Sequence, residues 1–159
     1  MSRVEEPENF WPWLAGFIDG EGTLQVWRHD NGGYIGYRPN LSITNNSRET
    51  LEFIESVLGA GGIRRGDRKV WHYVVTANTL RSVLPKILPF LRVKKRQAEL
   101  LQEYLDLTLK KPVFGRRNNG CNSFASNPQK KRMLEIALEL KKLNGGRFLC
   151  QKWNPLAIA

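Results

Sequence analysis

Two acids alternate with two glycines at Asp19-Gly20-Glu21-Gly22, directly after an apolar run from Phe10 to Ile18. Carboxylate and carbonyl oxygens are the hard ligands that Mg²⁺ takes, and glycine lets the backbone approach a ligand closely. A divalent cation between a carboxylate and a phosphate is the arrangement that hydrolyses phosphodiesters. The same four residues also make a helix-stop turn, the commoner use of Asp-Gly; residue type and spacing leave both uses open. The chain around them is basic, with 25 Lys+Arg against 15 Asp+Glu, a formal net charge of +10 and a pI near 10.0. Such an excess points to a polyanionic partner, of which nucleic acid is the commonest.

The elements that must position these acids follow from periodicity. Phe10–Ile18 reads as a helix apolar nearly all round, with Asn9 as its cap and Pro12 in its first turn. Thr23–Arg28 alternates as a strand, Asp30-Asn31-Gly32-Gly33 is a hairpin turn, and Tyr34–Thr44 is the return strand. Asn46-Ser47-Arg48-Glu49 has capping-box form and opens a helix that stops at Gly59. A second hairpin runs from Ile63 to Arg65, turns at Gly66-Asp67 and returns over Arg68–Thr76. Asn78 caps a short helix broken by Pro85 and Pro89, a long helix covers Arg92–Leu109, and a last helix starts at Asn127-Pro128. The order α-ββ-α-ββ-α-α-α predicts an α+β fold with an antiparallel sheet. The expected organisation is one domain over 1–159, its core at about 10–109 and a basic loop and helix at 110–159.

Both hairpins are amphipathic. Leu24, Val26, Leu41, Ile43, Ile63, Trp71, Tyr73 and Val75 should face the helices. Thr23, Gln25, Trp27, His29, Arg38, Asn40, Ser42 and Thr44 should face outward, with Arg64, Arg68, Val70, His72 and Val74 from the second hairpin. Arg, Asn, Gln, Ser, Thr and His read base edges and contact phosphates, and a two-stranded ribbon fits the major groove of B-DNA. The runs at Arg92–Arg96 and at Lys110, Lys111, Arg116, Arg117, Lys130, Lys131 and Arg132 would add phosphate-tracking charge.

Other classes are set aside. Hydrophobic residues at 41% exclude a disordered chain. Cys121 and Cys150 lack the spacing of a zinc site, and nothing supports a disulfide between them. No apolar run reaches the ~18 residues of a membrane span. The acidic N-terminus does not read as a targeting peptide. Neither a membrane nor a small-molecule substrate is expected, and the expected location is a bacterial or archaeal cytoplasm or the organelle that encodes the chain.

Leu14-Ala15-Gly16-Phe17-Ile18-Asp19-Gly20-Glu21-Gly22 resembles the nine-residue signature of the LAGLIDADG homing endonucleases. Leu41–Asn45 followed by Leu51–Ile54 and Leu58–Ile63 resembles the family's second strand, helix and third strand. Leu88–Leu91 through Lys94, Gln97 and Ala98 resembles its entry into the long helix. The resemblance covers roughly 10–109. It implies a saddle-shaped antiparallel sheet that lies on double-stranded DNA, and hydrolysis assisted by two or three Mg²⁺ ions at a dimer axis. Glu21 would be the metal-binding acid, joined by the Gly20 carbonyl, while Asp19 would structure the helix end. Asn45 would order the water network, and Lys94 would stabilise charge near the scissile phosphate. Some members carry a basic residue in the first turn of the middle helix; the aligned position here is Glu49, with Arg48 beside it.

With one motif, the resemblance implies a homodimer joined through the motif helices, with Trp13, Ala15, Gly16, Asp19 and Gly20 at the interface. Two copies would bring two Glu21 groups together, one for each strand, on a long near-palindromic target. The expected activity is site-specific double-strand cleavage that promotes intron homing. Two alternatives on the same fold are an intron RNA maturase and a non-cutting DNA-binding regulator. The first should lose the acid or the water-ordering residue, and this chain keeps Glu21 and Asn45. The second usually adds a helix-turn-helix, and Pro112–Ala159 shows one clear helix.

Overall fold

The structure is a computed structural model and describes residues 6–31, 34–109 and 128–145. Helix α1 (Phe10–Glu21) leads into strands β1 (Gly22–Asn31) and β2 (Tyr34–Asn45). Helix α2 (Arg48–Leu58), strands β3 (Gly62–Arg65) and β4 (Trp71–Thr76), and helices α3 (Ala77–Ile87), α4 (Lys95–Leu109) and α5 (Pro128–Leu143) follow. This is the expected α+β order. All strands join one antiparallel sheet in the order β1-β2-β4-β3.

The helices cover one sheet face. Leu24, Leu41, Ile43, Tyr73 and Val75 are fully buried against Leu14, Ile18, Leu51, Ile54, Leu80, Leu84 and Leu101. Burial of this apolar area is the main force holding the layers together. Val26, Ile63 and Trp71 lie on the same side but only half-buried.

Several boundaries move from their sequence positions. The first strand runs on past Arg28 to Asn31, because cross-strand pairing continues through Asp30↔Ile35 and Asn31↔Tyr34 despite the polar residues, while the return strand starts at Tyr34 as expected. Asn9 makes no side-chain cap bond to α1. Ser47 caps α2, its hydroxyl accepting from Thr50 N–H at 3.2 Å, so Glu49 is not the reciprocal partner of a capping box. β4 starts at Trp71 rather than Arg68; Asp67–Lys69 form a 3₁₀ turn, with Lys69 at φ 64°. α3 begins at Ala77 with no side-chain cap, so Asn78 is not its cap. It also passes through Pro85, forgoing the bond that residue's N–H would make to Arg81 O. Burial of Leu80, Val83, Leu84 and Ile87 on one stripe holds the helix together there. α4 starts at Lys95, not Arg92.

α5 is tied to the rest by charge and by a clasp. The Arg132 guanidinium grips Glu103 of α4, Nε–Oε1 at 2.6 Å and Nη2–Oε2 at 2.9 Å. Arg96 reaches Glu139 at 2.9 Å. Both arginines stand in runs expected to track phosphates; instead they join α4 to α5. Asn144 Nδ2 donates to Leu24 O at 2.9 Å, occupying a carbonyl of the sheet-edge strand β1. Arg116, Arg117, Lys110, Lys111, Asn127, Cys121 and Cys150 lie outside the described residues.

Candidate nuclease centre and sheet face

Asp19 and Glu21 leave the end of α1 in different directions and to different ends. The Asp19 carboxylate accepts from three backbone N–H groups ahead of α4: Arg92 at 2.7 Å, Lys94 at 2.8 Å and Val93 at 3.2 Å. In return, Lys94 Nζ donates to Ile18 O at 3.0 Å, which also accepts from Gly22 N–H, and to Asp19 O at 2.6 Å, a carbonyl of the last helical turn. Partial burial alone would raise the Asp19 pKa. The N–H groups of Arg92, Lys94 and Val93, with the Lys94 charge, outweigh it and hold the carboxyl below its ordinary value of 3.8.

Asp19 therefore adds stability that is complete above the unfolded-chain pKa and lost as pH falls through the lower folded one. Asp19→Asn is expected to lower unfolding free energy at neutral pH by about 1 kcal/mol, the scale of a lost helix cap. The gap should close as pH falls below the unfolded-chain pKa and through the lower folded one. Urea unfolding across that range checks this; a gap that persists unchanged in acid would count against the clasp.

Glu21 is exposed, and no hydrogen bond or ion pair engages its carboxylate among the described residues. The described residues hold no group of three or more His, Cys, Asp or Glu that could bind a metal, so one chain offers a single acid and an adjacent carbonyl. That fits half of a site for a hard cation. Gly22 starts β1 opposite Ile43, which sets the α1 end beside the Thr44–Asn45 end of β2. Asn45 Oδ1 accepts from Ser47 N–H at 2.8 Å, leaving its amide donors for other partners. In the first turn of α2, Glu49 is exposed, and Arg48 is the cation, bonded to Glu52 at 2.7 Å and lying 4.8 Å over the Trp71 ring.

The outward stripe of α1 runs Trp13, Gly16, Phe17, Gly20. A Cβ on Gly16 or Gly20 would meet nothing within 4 Å, and Trp13 is 40% exposed. Ala15, expected on this stripe, is instead fully buried; it stands one helical step from Gly16 and turns inward with Leu14 and Ile18. Asp19 belongs to the α4 clasp. Two aromatics not expected at the interface flank Trp13: Phe17, within the motif, stacks on it at 5.4 Å, and Phe53 of α2 meets it edge-on at 5.6 Å. Phe53 had a visible signal, an apolar residue off the buried stripe of its helix, but no spacing in the sequence places it beside Trp13.

On the sheet's uncovered side the register lines up the expected outward residues in cross-strand rows. Thr23, Ser42 and Val74 share one row, Gln25 and Asn40 another, Trp27 and Arg38 a third, and Thr44, His72 and Arg64 a fourth. His29 continues β1 opposite Gly36. Trp27 is 41% exposed. Asn40 corrects the expectation: it is buried, accepts from Gln25 Nε2 at 3.4 Å and donates to Arg38 O at 3.3 Å, so it supports its neighbours from beneath. Val70 and Arg68 precede β4, in the turn, and are not members of its rows.

Comparison with known proteins agrees with this architecture. A family model described as LAGLIDADG endonuclease matches residues 14–109. DNA endonuclease I-CvuI of Chlorella vulgaris is 32% identical over 111 residues, covering 63% of this chain and 69% of that protein. DNA endonuclease I-CreI of Chlamydomonas reinhardtii is 29% identical over 107 residues, 62% of this chain and 64% of that one. The archaeal intron-encoded homing endonuclease I-Vdi141I, solved with DNA, superimposes with a TM-score of 0.72 at 27% identity, over 95% of this chain and 93% of its own. I-CvuI, solved on DNA left uncleaved in 2 mM Mg, gives 0.64 at 21% identity over 89% and 83%. The chain belongs to the LAGLIDADG endonucleases.

Proposed function

We propose that two copies of this chain act together as a homing endonuclease that cuts both strands of a long, near-palindromic DNA target and so promotes the spread of the intron or insert that encodes it. The observation that carries this reading is the position of Glu21. An unengaged acid stands where a bare small-residue helix stripe meets the end of a polar, uncovered sheet face. Pairing two α1 stripes back to back brings two Glu21 groups together, and Trp13, Phe17 and Phe53 close around the helix contact. Each sheet then lies along one half-site. Ten residues of β1 at ~3.3 Å each span roughly 33 Å, about nine to ten base pairs at ~3.4 Å per pair.

Glu21 and the Gly20 carbonyl from each copy would hold the divalent ions, Mg²⁺ in the cell, two or three in all. When bound, such ions activate the attacking water and neutralise charge on the phosphate. Asn45 orients water with its free amide. Lys94 keeps one ammonium proton beyond the two it gives to α1, and that proton would serve the developing phosphate charge. Arg48, fixed by Glu52 and Trp71, supplies the basic group of the α2 turn. Thr23, Gln25, Trp27, His29, Arg38, Ser42, Thr44, Arg64, His72 and Val74 contact the target, with Arg68, Val70, Arg116 and Arg117 extending the contact from the turn and the 110–127 segment.

The test is cleavage of DNA spanning the uninterrupted insertion site of the encoding gene. Double-strand cleavage is expected in Mg²⁺, and binding without cleavage in Ca²⁺. Tight binding with no cut under any divalent ion would leave a regulator instead.

Lys94→Ala is expected to slow cleavage per bound complex by roughly a hundredfold, the effect of removing one preorganised donor. The salt dependence of binding should stay the same. A drop of about one unit in the salt slope with an unchanged cutting rate would make Lys94 an ordinary phosphate contact.

A further inference from the structure

Gly66 has φ −94° and ψ −171°, extended backbone that any residue adopts. What bars a side chain there is the His72 ring: a Cβ on Gly66 would lie 2.2 Å from Nε2 and 2.5 Å from Cδ2. At the ring's other edge, Nδ1 stands 2.8 Å from Thr44 Oγ1. Thr44 is opposite His72 in the β2–β4 pairing, and Arg64 is opposite it in β3–β4. The turn that carries Gly66 is closed by its N–H donating to Val70 O at 2.9 Å. The imidazole is thus held between a hydroxyl on one strand and a turn that has no room for a side chain.

We propose that His72 is a positioning residue that fixes the polarity of the Thr44 hydroxyl, so that Thr44, His72 and Gly66 read one base pair of each half-site as a unit. This rests on the reading of the polar sheet face as the DNA-contacting surface. A threonine hydroxyl has one proton and two lone pairs. When Nδ1 accepts, that proton is committed to the ring, and Oγ1 offers lone pairs that suit cytosine N4 or adenine N6. When Nδ1–H donates, the hydroxyl proton is released and suits guanine O6 or N7, adenine N7 or thymine O4, while one lone pair also stays open. An unpaired threonine rotates and serves both classes. Pairing to an accepting Nδ1 leaves only the lone pairs, and Gly66 lets the turn close against the ring that does the pairing.

Relative binding and cleavage of a set of targets, each changed at one base pair, tests this. His72→Phe keeps a flat ring against Gly66 and removes Nδ1; Thr44→Val removes the hydroxyl at nearly constant shape. Each is expected to flatten preference at the same base pair by about tenfold, and the double variant by no more than either single one. Gly66→Ala should give the same loss while leaving both partners in the sequence. Preference losses at two separate base pairs, additive losses in the double variant, or an unchanged preference profile with all targets equally weakened would each overturn the proposal. Nitrogen-15 shifts of the His72 ring read the pair without DNA: Thr44→Val should move them, and shifts indifferent to that change overturn the proposal even where DNA is cut normally. A protein that binds no duplex overturns both this unit and the endonuclease reading, and the cleavage assay above shows that result separately.

Discussion

Glu21→Gln is expected to abolish strand cleavage while target binding stays within a few-fold of wild type. The substitution keeps shape and removes the charge that would hold a divalent ion. A metal ion contributes several kcal/mol to phosphodiester hydrolysis, which corresponds to roughly a thousandfold in rate or more. The fold should not notice the change, because the Glu21 carboxylate is exposed and supports no neighbour among the described residues. That distinguishes it from Asp19, two residues earlier, whose oxygens serve three backbone donors. The measurement pairs cleavage in Mg²⁺ with binding in Ca²⁺ and a thermal melt. An intact melt, intact binding and no cutting is the expected set. Nicking at the wild-type rate would remove Glu21 from the site.

Gly16→Leu is expected to separate the two copies and end double-strand cleavage. Within one chain the position has room, since a Cβ at Gly16 meets nothing within 4 Å. Leucine is also the better helix former, by somewhat less than the roughly 0.8–1.0 kcal/mol that separates Gly from Ala. A chain that works alone should therefore gain stability from the change. In the paired arrangement the α1 backbones approach each other at Gly16 and Gly20, and an isobutyl group between them pushes the helices and their Glu21 groups apart. Sedimentation, with affinity for a full site against a half-site, separates the two outcomes. A variant that sediments as a dimer and cuts both strands normally would mean that the copies meet through another surface.

Much of this arrangement is legible in the residues. The switch between a period of two and a period near 3.6 yields the element order, and alternation assigns Leu24, Leu41, Ile43, Tyr73 and Val75 to the core. The same alternation sorts Thr23, Gln25, Trp27, Arg38, Ser42, Thr44, Arg64 and His72 onto the other face. It falls short at Asn40, on the expected face but buried, its amide bonded to Gln25 and the Arg38 carbonyl. It fails again at Ala15, where a stripe of small residues suggests contact with a second helix. A helix turns 100° per residue, and one step from Gly16 is enough to turn Ala15 into its own core. The basic runs mislead at Arg96 and Arg132, whose acids, Glu139 and Glu103, sit on a different helix in each case.

By itself, the sequence determined the chemistry on offer and the surface that would present it. Two acids between glycines, a strongly basic balance and two amphipathic hairpins follow from residue type and short-range spacing, because local backbone geometry fixes which side chains share a face. The family resemblance implies different work for the two acids, but only the tertiary structure supplies the physical reason. Asp19 and Glu21 carry the same charge and share Gly20 as a neighbour, so residue type and spacing alone do not tell them apart. The backbone donors that claim Asp19 lie 73 to 75 residues away, at the start of α4, and the ammonium that closes the clasp lies there too. The chain must fold before those groups meet. Once they do, Asp19 is committed to holding two helices together and Glu21 is left free at the surface.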